Sequence, residues 1–274
     1  MNDSLASRFL IGTRLRVVVA MAVLVGAAAG AACAATSVMI WPIDPVIESD
    51  QRAAALWLEN RDIKPVALQI RVLGWRQDGW EDLYAENQRR VVSSPPMATV
   101  LPGKRQLIRL TKLEDAAPGS ESAYRVLVDE IPYREDPAAP DGGTAVGVRF
   151  QMHYSIPLFV NGNGVWVGEA PDRRRDPAGA AMPALGWHLA QDDGKRWLVL
   201  ANRGAVHARI TAIAFVSDGQ RAGIEQGLLG YVLPGARMRW ALPDGMKLPA
   251  APNLVATVNG KAGVAIAPDD GVRR

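Results

Sequence analysis

Residues 144–160 read Thr144-Ala145-Val146-Gly147-Val148-Arg149-Phe150-Gln151-Met152-His153-Tyr154-Ser155-Ile156-Pro157-Leu158-Phe159-Val160. The even positions Val146, Val148, Phe150, Met152, Tyr154, Ile156 and Leu158 are apolar, while the odd ones include Gly147, Arg149, Gln151, His153 and Ser155. Side chains alternate between the two faces of a strand, so this pattern builds one apolar face. It predicts a strand of about fifteen residues, where five or six is usual. A strand that long reaches past its own domain. With an apolar face and unpaired main-chain groups, it can pair with another chain.

Outward from this stretch the pattern stays β. Upstream lie Ala55-Leu56-Trp57-Leu58, Ala67-Leu68-Gln69-Ile70-Arg71-Val72-Leu73, Gln106-Leu107-Ile108-Arg109-Leu110 and Tyr124-Arg125-Val126-Leu127-Val128. Turn formers separate them: Glu59-Asn60-Arg61-Asp62, Asp78-Gly79, Ser94-Pro95-Pro96, Leu101-Pro102-Gly103-Lys104 and Ala117-Pro118-Gly119. Arg134–Gly143, polar and rich in Pro and Gly, reads as a loop leading into the long strand. Downstream, strands are predicted at Gly186–Ala190, Arg196–Ala201, Ala208–Val216, Gly230–Leu233, Arg237–Ala241, Asn253–Asn259 and Gly263–Ala267. No segment holds a helical period and no repeat of fixed period is visible. A chain of 274 residues suits two ordinary cores better than one. The expectation is an all-β protein of two β-sandwich domains, with residues 36–160, including the long edge strand 144–160, forming the first and 161–274 the second.

Residues 1–35 are not fold material. Arg8, Arg14 and Arg16 precede the apolar run Val17–Ala28, and small residues around Cys33 offer a cleavage site after Ala34 or Ala35. This is the layout of a cleavable signal peptide. The apolar run is marginal for an uncleaved membrane anchor, which needs about twenty residues, and Gly30 stands where a lipoprotein signal carries Leu. No stable membrane insertion is therefore expected. Loss of the leader takes the net charge from +3 to about +1, which argues against nucleic acid as a partner. It also removes Cys33, the only cysteine, so stability rests on hydrophobic cores.

Chemistry-bearing constellations are absent from the sequence pattern. His153, His188 and His207 lie far apart without cysteines or a metal-ligand spacing, and are read as surface or half-buried strand residues. No glycine turn opens a helix to cradle phosphate, and no nucleophile elbow is present. Neither a cofactor, a metal nor an enzymatic activity is expected. Of the eight tryptophans, Trp57, Trp75, Trp197 and Trp240 sit in apolar strands and are assigned to the core. Trp41, Trp80, Trp166 and Trp187 are left open. Arg71 and Arg125 interrupt apolar strands, and an unpaired buried guanidinium is costly. They either snorkel to the sheet edge or face a cleft that awaits an anion.

Glu121-Ser122-Ala123-Tyr124-Arg125-Val126-Leu127-Val128-Asp129-Glu130-Ile131-Pro132 resembles the signature strand of the periplasmic pilus (fimbrial) chaperone family, PapD-like. Pro95-Pro96 and Leu101-Pro102-Gly103-Lys104 upstream, and the loop and long strand downstream, keep the same context. Tyr154-Ser155-Ile156-Pro157-Leu158-Phe159-Val160 resembles the divergent archaic branch, which makes Csu-type (spore coat) fimbriae. The resemblance implies that the two sandwiches are immunoglobulin-like domains joined at an angle, and that the protein is a periplasmic chaperone that binds fimbrial subunits by donor-strand complementation and delivers them to an outer-membrane usher. It implies Val146, Val148, Phe150, Met152, Tyr154 and Ile156 as the donor strand. The best-known members hold the subunit's terminal carboxylate with an Arg and a Lys, at positions occupied here by Asp44 and Pro157. Arg125, with Arg71, is the implied substitute. The alternative is an exported β-sandwich that binds a glycan or surface partner through its tryptophans.

Overall fold

The computed structural model describes residues 38–132, 151–167, 179–217 and 219–269. The leader and three of the six implied donor residues, Val146, Val148 and Phe150, lie outside them. Among the described residues no helix is long and apolar enough to cross a membrane.

The first unit is built from β1 (Val38–Trp41), β2 (Val46–Ile47), β3 (Ala53–Asn60), β4 (Val66–Asp78), β5 (Glu81–Ala85), β6 (Val91–Ser94), β7 (Met97–Val100), β8 (Arg105–Lys112), β9 (Glu121–Ile131) and β10 (His153–Asn161). Two sheets form, one in the order β1-β3-β8-β6 and the other β2-β10-β9-β4-β5, with β7 beside β4. Alternation decides what lies between them. Leu56 and Leu58 of β3, Ile108 and Leu110 of β8, Leu68 and Ile70 of β4, Val126 and Val128 of β9, and Ile156 and Leu158 of β10 share one buried cluster. These positions alternate along each strand and bury one face of each sheet against the other.

β10 is an edge for most of its length. Its inner neighbour is β9, in antiparallel register from His153↔Asp129 to Asn161↔Glu121. On the other side, among the described residues, β2 covers only Phe159 and Val160. The Phe159 N–H donates to the Pro45 carbonyl at 3.1 Å, so odd residues of β10 turn their amides away from β9. Pro157 is one of these. Its missing N–H therefore costs the β9 ladder nothing, as befits proline on an edge strand.

The second unit contains β11 (Leu185–Asp192), β12 (Lys195–Asn202), β13 (Ala208–Ser217), β14 (Gln220–Val232), β15 (Arg237–Ala241), β16 (Asn253–Val258) and β17 (Lys261–Pro268), in the sheet order β14-β13-β16-β17-β11-β12-β15. Leu198, Leu200, Ile210, Phe215, Leu254, Val258 and Ile266 fill its core. The sequence pattern anticipates these strands to within two residues, except β14. There it marks only Gly230 onward, because Gln220–Leu228 is largely exposed and glycine-interrupted. Register shifts against β13 absorb that irregular stretch.

One corner is built twice, a repeat the sequence pattern does not reveal. Asn60 Nδ2 donates to the carbonyls of Lys64 (2.7 Å) and Val100 (2.8 Å), and Asn202 Nδ2 to those of Val206 (2.8 Å) and Val232 (3.0 Å). Each asparagine backbone is tied to a Leu-Pro-Gly turn: Gly103 N to Asn60 O at 2.9 Å, and Gly235 N to Asn202 O at 2.8 Å. The turns close through Lys104 N to Leu101 O and Ala236 N to Leu233 O, both 3.0 Å. Gly103 and Gly235 take φ of 66° and 73°, which a turn with Pro first and Gly second requires. Each unit thus uses one buried amide to join two loops. Asn202→Ala leaves two buried carbonyls without donors and is expected to cost about 1–3 kcal/mol, read as a lower urea midpoint at constant slope. An unchanged midpoint would show that water replaces the amide.

Candidate functional site

The odd residues of β9 and β10 and their neighbours on β4 line the outer face of the β10-containing sheet in rows. Gln69, Asp129 and His153 form the first row; Arg71, Leu127 and Ser155 the second; Leu73, Arg125 and Pro157 the third; and Trp75, Ala123 and Phe159 the fourth. Glu121 and Asn161 pair beyond them. Tyr84 of β5 stands beside Trp75 in the fourth row.

The second unit covers the far end of this face. Phe159 is fully buried and stacks on the His207 ring at 3.4 Å between centroids and 3° between planes. Trp75 lies 6.1 Å from Phe159 and meets Tyr231 edge-on at 5.5 Å. The Glu121 side chain, 0% exposed, receives the His207 backbone N–H at 2.9 Å and lies 2.9–3.0 Å from its Nδ1. Gln77 donates to Tyr231 O (2.9 Å) and accepts from Leu233 N (2.8 Å). At the rim, Arg239 sits over Trp80 (5.5 Å) and Trp197 (4.3 Å). Aromatic burial and these paired polar groups lock the units together. His207, assigned from sequence to a surface or half-buried position, is therefore a buried junction residue. A lone histidine at the start of a strand carries no signal for this, because its partner Glu121 is far away in sequence.

The third row is the last that is covered, with Leu73 and Pro157 buried and Arg125 half-buried, and the face opens at the second row, where Arg71 and Ser155 are exposed. Arg125 projects from β9 directly opposite Pro157, its cross-strand neighbour. Its guanidinium carbon lies 3.8 Å from the Trp75 ring centre and 5.4 Å from that of Tyr231. Its Nε is buried without a hydrogen-bond partner. Among the described residues no carboxylate comes within ion-pair distance of it, unlike Arg61, Arg71, Arg76, Arg90, Arg105, Arg203 and Arg239. Ring faces favour the cation but leave this Nε–H unsatisfied, and the only side-chain oxygen that meets the guanidinium among the described residues is the Tyr84 hydroxyl. An anion can complete the site.

Arg71 shares the face but not this state. Its Nη2 meets Asp129 Oδ2 at 2.9 Å, with Glu86 at 3.9 Å. The anion that the sequence leaves open for it is supplied by the protein. Asp129 also meets His153 Nδ1 at 2.9 Å. Burial pushes the Asp129 carboxyl up, but hydrogen bonds from His153 and Arg71 outweigh it and hold it below the usual carboxylate range.

Of the described donor candidates, Met152 is half-buried and its carbonyl accepts from Glu130 N at 3.1 Å. Tyr154 packs against the first unit's own core, with its hydroxyl accepting from Val38 N at 3.4 Å. Ile156 is 7% exposed within that core. The even face of β10 is thus committed inward from Tyr154 onward, because its opposing sheet is in place there. The tryptophans also divide differently from the sequence-based assignment. Trp187, left open, is buried. Trp57, assigned to the core, stacks on Trp41 at 6.3 Å and is only half-buried.

The family profile described as "Pili and flagellar-assembly chaperone, PapD N-terminal domain" matches residues 39–165. No curated protein sequence matches the chain. Among solved structures, the chaperone in the CsuC–CsuE chaperone–tip adhesion subunit pre-assembly complex from archaic chaperone-usher Csu pili of Acinetobacter baumannii is 31% identical. That match has a TM-score of 0.65 and covers 85% of this chain and 100% of that one. The Salmonella enterica SafA pilin–SafB chaperone complex (16% identity, TM-score 0.57, 85% and 95% covered) and the E. coli chaperone DraB (17%, 0.56, 86% and 97%) share the fold. With the signature strand, the two-sandwich architecture and a relative of this identity matched over its whole length, the chain belongs to the PapD-like pilus chaperones, in the archaic Csu-type branch.

Proposed function

We propose that this chaperone holds fimbrial subunits in the periplasm by adding a strand to them, and passes them to an outer-membrane usher. In this reading residues 1–35 are removed at export, residues 36–160 bind the subunit and residues 161–274 form the second arm of the cleft. The subunit pairs along the open edge of β10. The residues before it, Val146, Val148, Phe150 and Met152, fill the subunit's apolar groove; main-chain bonds supply affinity and alternate side chains specificity, the mode known for chaperone–pilin complexes. Tyr154 and Ile156 stay in the chaperone's own core and set the register from below.

Arg125 is the observation that carries this reading. A guanidinium with no acidic partner, stacked on Trp75 at 3.8 Å beside the open edge, fits the carboxylate that ends a subunit chain. Anchoring one end fixes the register, since a slip of one residue turns every donor side chain to the wrong face. Arg71, already paired with Asp129, is a reserve charge and not the seat.

Arg125→Ala is expected to weaken binding of a fimbrial subunit about 10- to 100-fold, the scale of a charge-assisted hydrogen bond. Arg125→Lys should restore only part of it, because an ammonium cannot grip two oxygens in parallel. A subunit with an amidated C-terminus should bind the wild type poorly and be indifferent to the substitution. Equal binding of native and amidated subunits to the wild type would remove the anchor.

A further inference from the structure

A carboxylate offers about four lone-pair sites on its two oxygens, so a bidentate Arg125, stacked by its face on Trp75, leaves about two for a further donor. We infer that Tyr84 is the second donor of the carboxylate seat, its hydroxyl binding the terminal carboxylate beside Arg125. This rests on the anchor reading above and adds a residue that neither the signature strand nor the long strand contains.

Tyr84 reaches the seat from β5. It is the cross-strand partner of Trp75, the ring on which Arg125 lies, and it is half exposed on the open side of the face. Its hydroxyl meets Asp82 Oδ2 at 3.4 Å, a stretched contact. Burial and Asp82 push the phenol above its ordinary pKa, while the neighbouring Arg125 guanidinium pulls it down. The proton therefore stays on the oxygen at neutral pH, and the hydroxyl is a donor lying between a cation and an acid.

Asp82 does not claim the seat for itself. Its Oδ1 is held by Trp75 Nε1 and Gln77 Nε2, each at 2.9 Å, which keeps the carboxylate on the β4 side. The phenol oxygen also accepts from the Arg125 guanidinium, so its proton is engaged only by the weak Oδ2 contact. Rotation about the phenolic C–O bond transfers that hydrogen bond to an incoming carboxylate without moving the ring. A neutral hydroxyl is also the better second donor here, because a second cation against Arg125 would have to be desolvated beside a like charge. Tyr231, whose ring is 5.4 Å from the guanidinium carbon, has its hydroxyl engaged by Arg209, a residue outside the seat.

The probe is a fluorophore-labelled peptide of alternating valine and threonine ending in a free carboxylate, with its C-terminal amide as twin, titrated by anisotropy against the full chain. The wild type should prefer the free acid. Tyr84→Phe, which keeps the ring and removes only the hydroxyl, should reduce free-acid affinity about 3- to 10-fold, the scale of one hydrogen bond, and leave amide affinity unchanged. Arg125→Ala should abolish the preference. If the wild type prefers the acid, Arg125→Ala loses that preference and Tyr84→Phe retains it in full, Tyr84 is not a ligand while the anchor stands. Equal loss of acid and amide affinity in Tyr84→Phe would assign the hydroxyl a structural role and likewise overturn the inference. A wild type indifferent to the acid removes the anchor reading itself.

Discussion

Phe159→Ala is expected to destabilise the chaperone by about 3–5 kcal/mol, the usual cost of emptying a fully buried aromatic site. The ring is inaccessible to water, stacks on His207 at 3.4 Å and touches the Trp75 and Tyr231 rings of the same cluster. Its neighbours come from both units, so the cavity cannot close by the settling of one sheet. Urea unfolding of the free protein should show the loss as a lower midpoint. Phe159→Leu should recover part of it by refilling volume without the stacked face. A loss below about 1 kcal/mol would mean that the junction reorganises around the gap.

Glu121→Ala should cost about 2–5 kcal/mol, because removing the carboxylate strips the acceptor from two buried donors, at about 1–3 kcal/mol for each. Two donors converge on this carboxylate, the His207 backbone N–H and the ring Nδ1, and the side chain has no exposed surface. Glu121→Gln keeps an acceptor for the backbone N–H but sets an amide N–H against the ring, and should fall between wild type and Ala. The decisive measurement is a double-mutant cycle with His207→Ala. The two losses should fall short of additivity by well over 0.5 kcal/mol, since distant independent sites add within about that margin. Additive losses would mean that each residue acts through other neighbours. The cycle is run with Phe159 intact, since its stacking on His207 couples it to both.

The packing of the first unit is written in its strands. Alternation in Leu56-Trp57-Leu58, Leu68-Gln69-Ile70 and Val126-Leu127-Val128 specifies which faces meet, because a strand's side chains have a period of two wherever it lies. The same pattern isolates Arg125 as a charge on an apolar strand. It treats Arg71 alike, since both residues show the same local sign. The difference is Asp129, which lies close to Arg71 across β4 and β9, and cross-strand neighbours depend on register, not on local composition.

Local signals in the chain are enough for the class of fold, for the strands of the second unit to within two residues outside β14, for segments of β3, β4, β8, β9 and β10 in the first, and for the family to which the protein belongs, whereas β1, β2, β5, β6 and β7 carry no such signal. Alternation, turn chemistry and the spacing of a signature strand carry what is legible. What each polar residue does is settled only by the assembled fold. It places His207 against Glu121, sets Pro157 opposite Arg125 where its lost N–H does no harm, commits Tyr154 and Ile156 to the chaperone's own core, and carries Tyr84 to the Arg125 guanidinium. The physical reason is that burial and pairing belong to surfaces assembled from distant segments, so a side chain's environment is fixed only when the sheets close on each other and the two units meet.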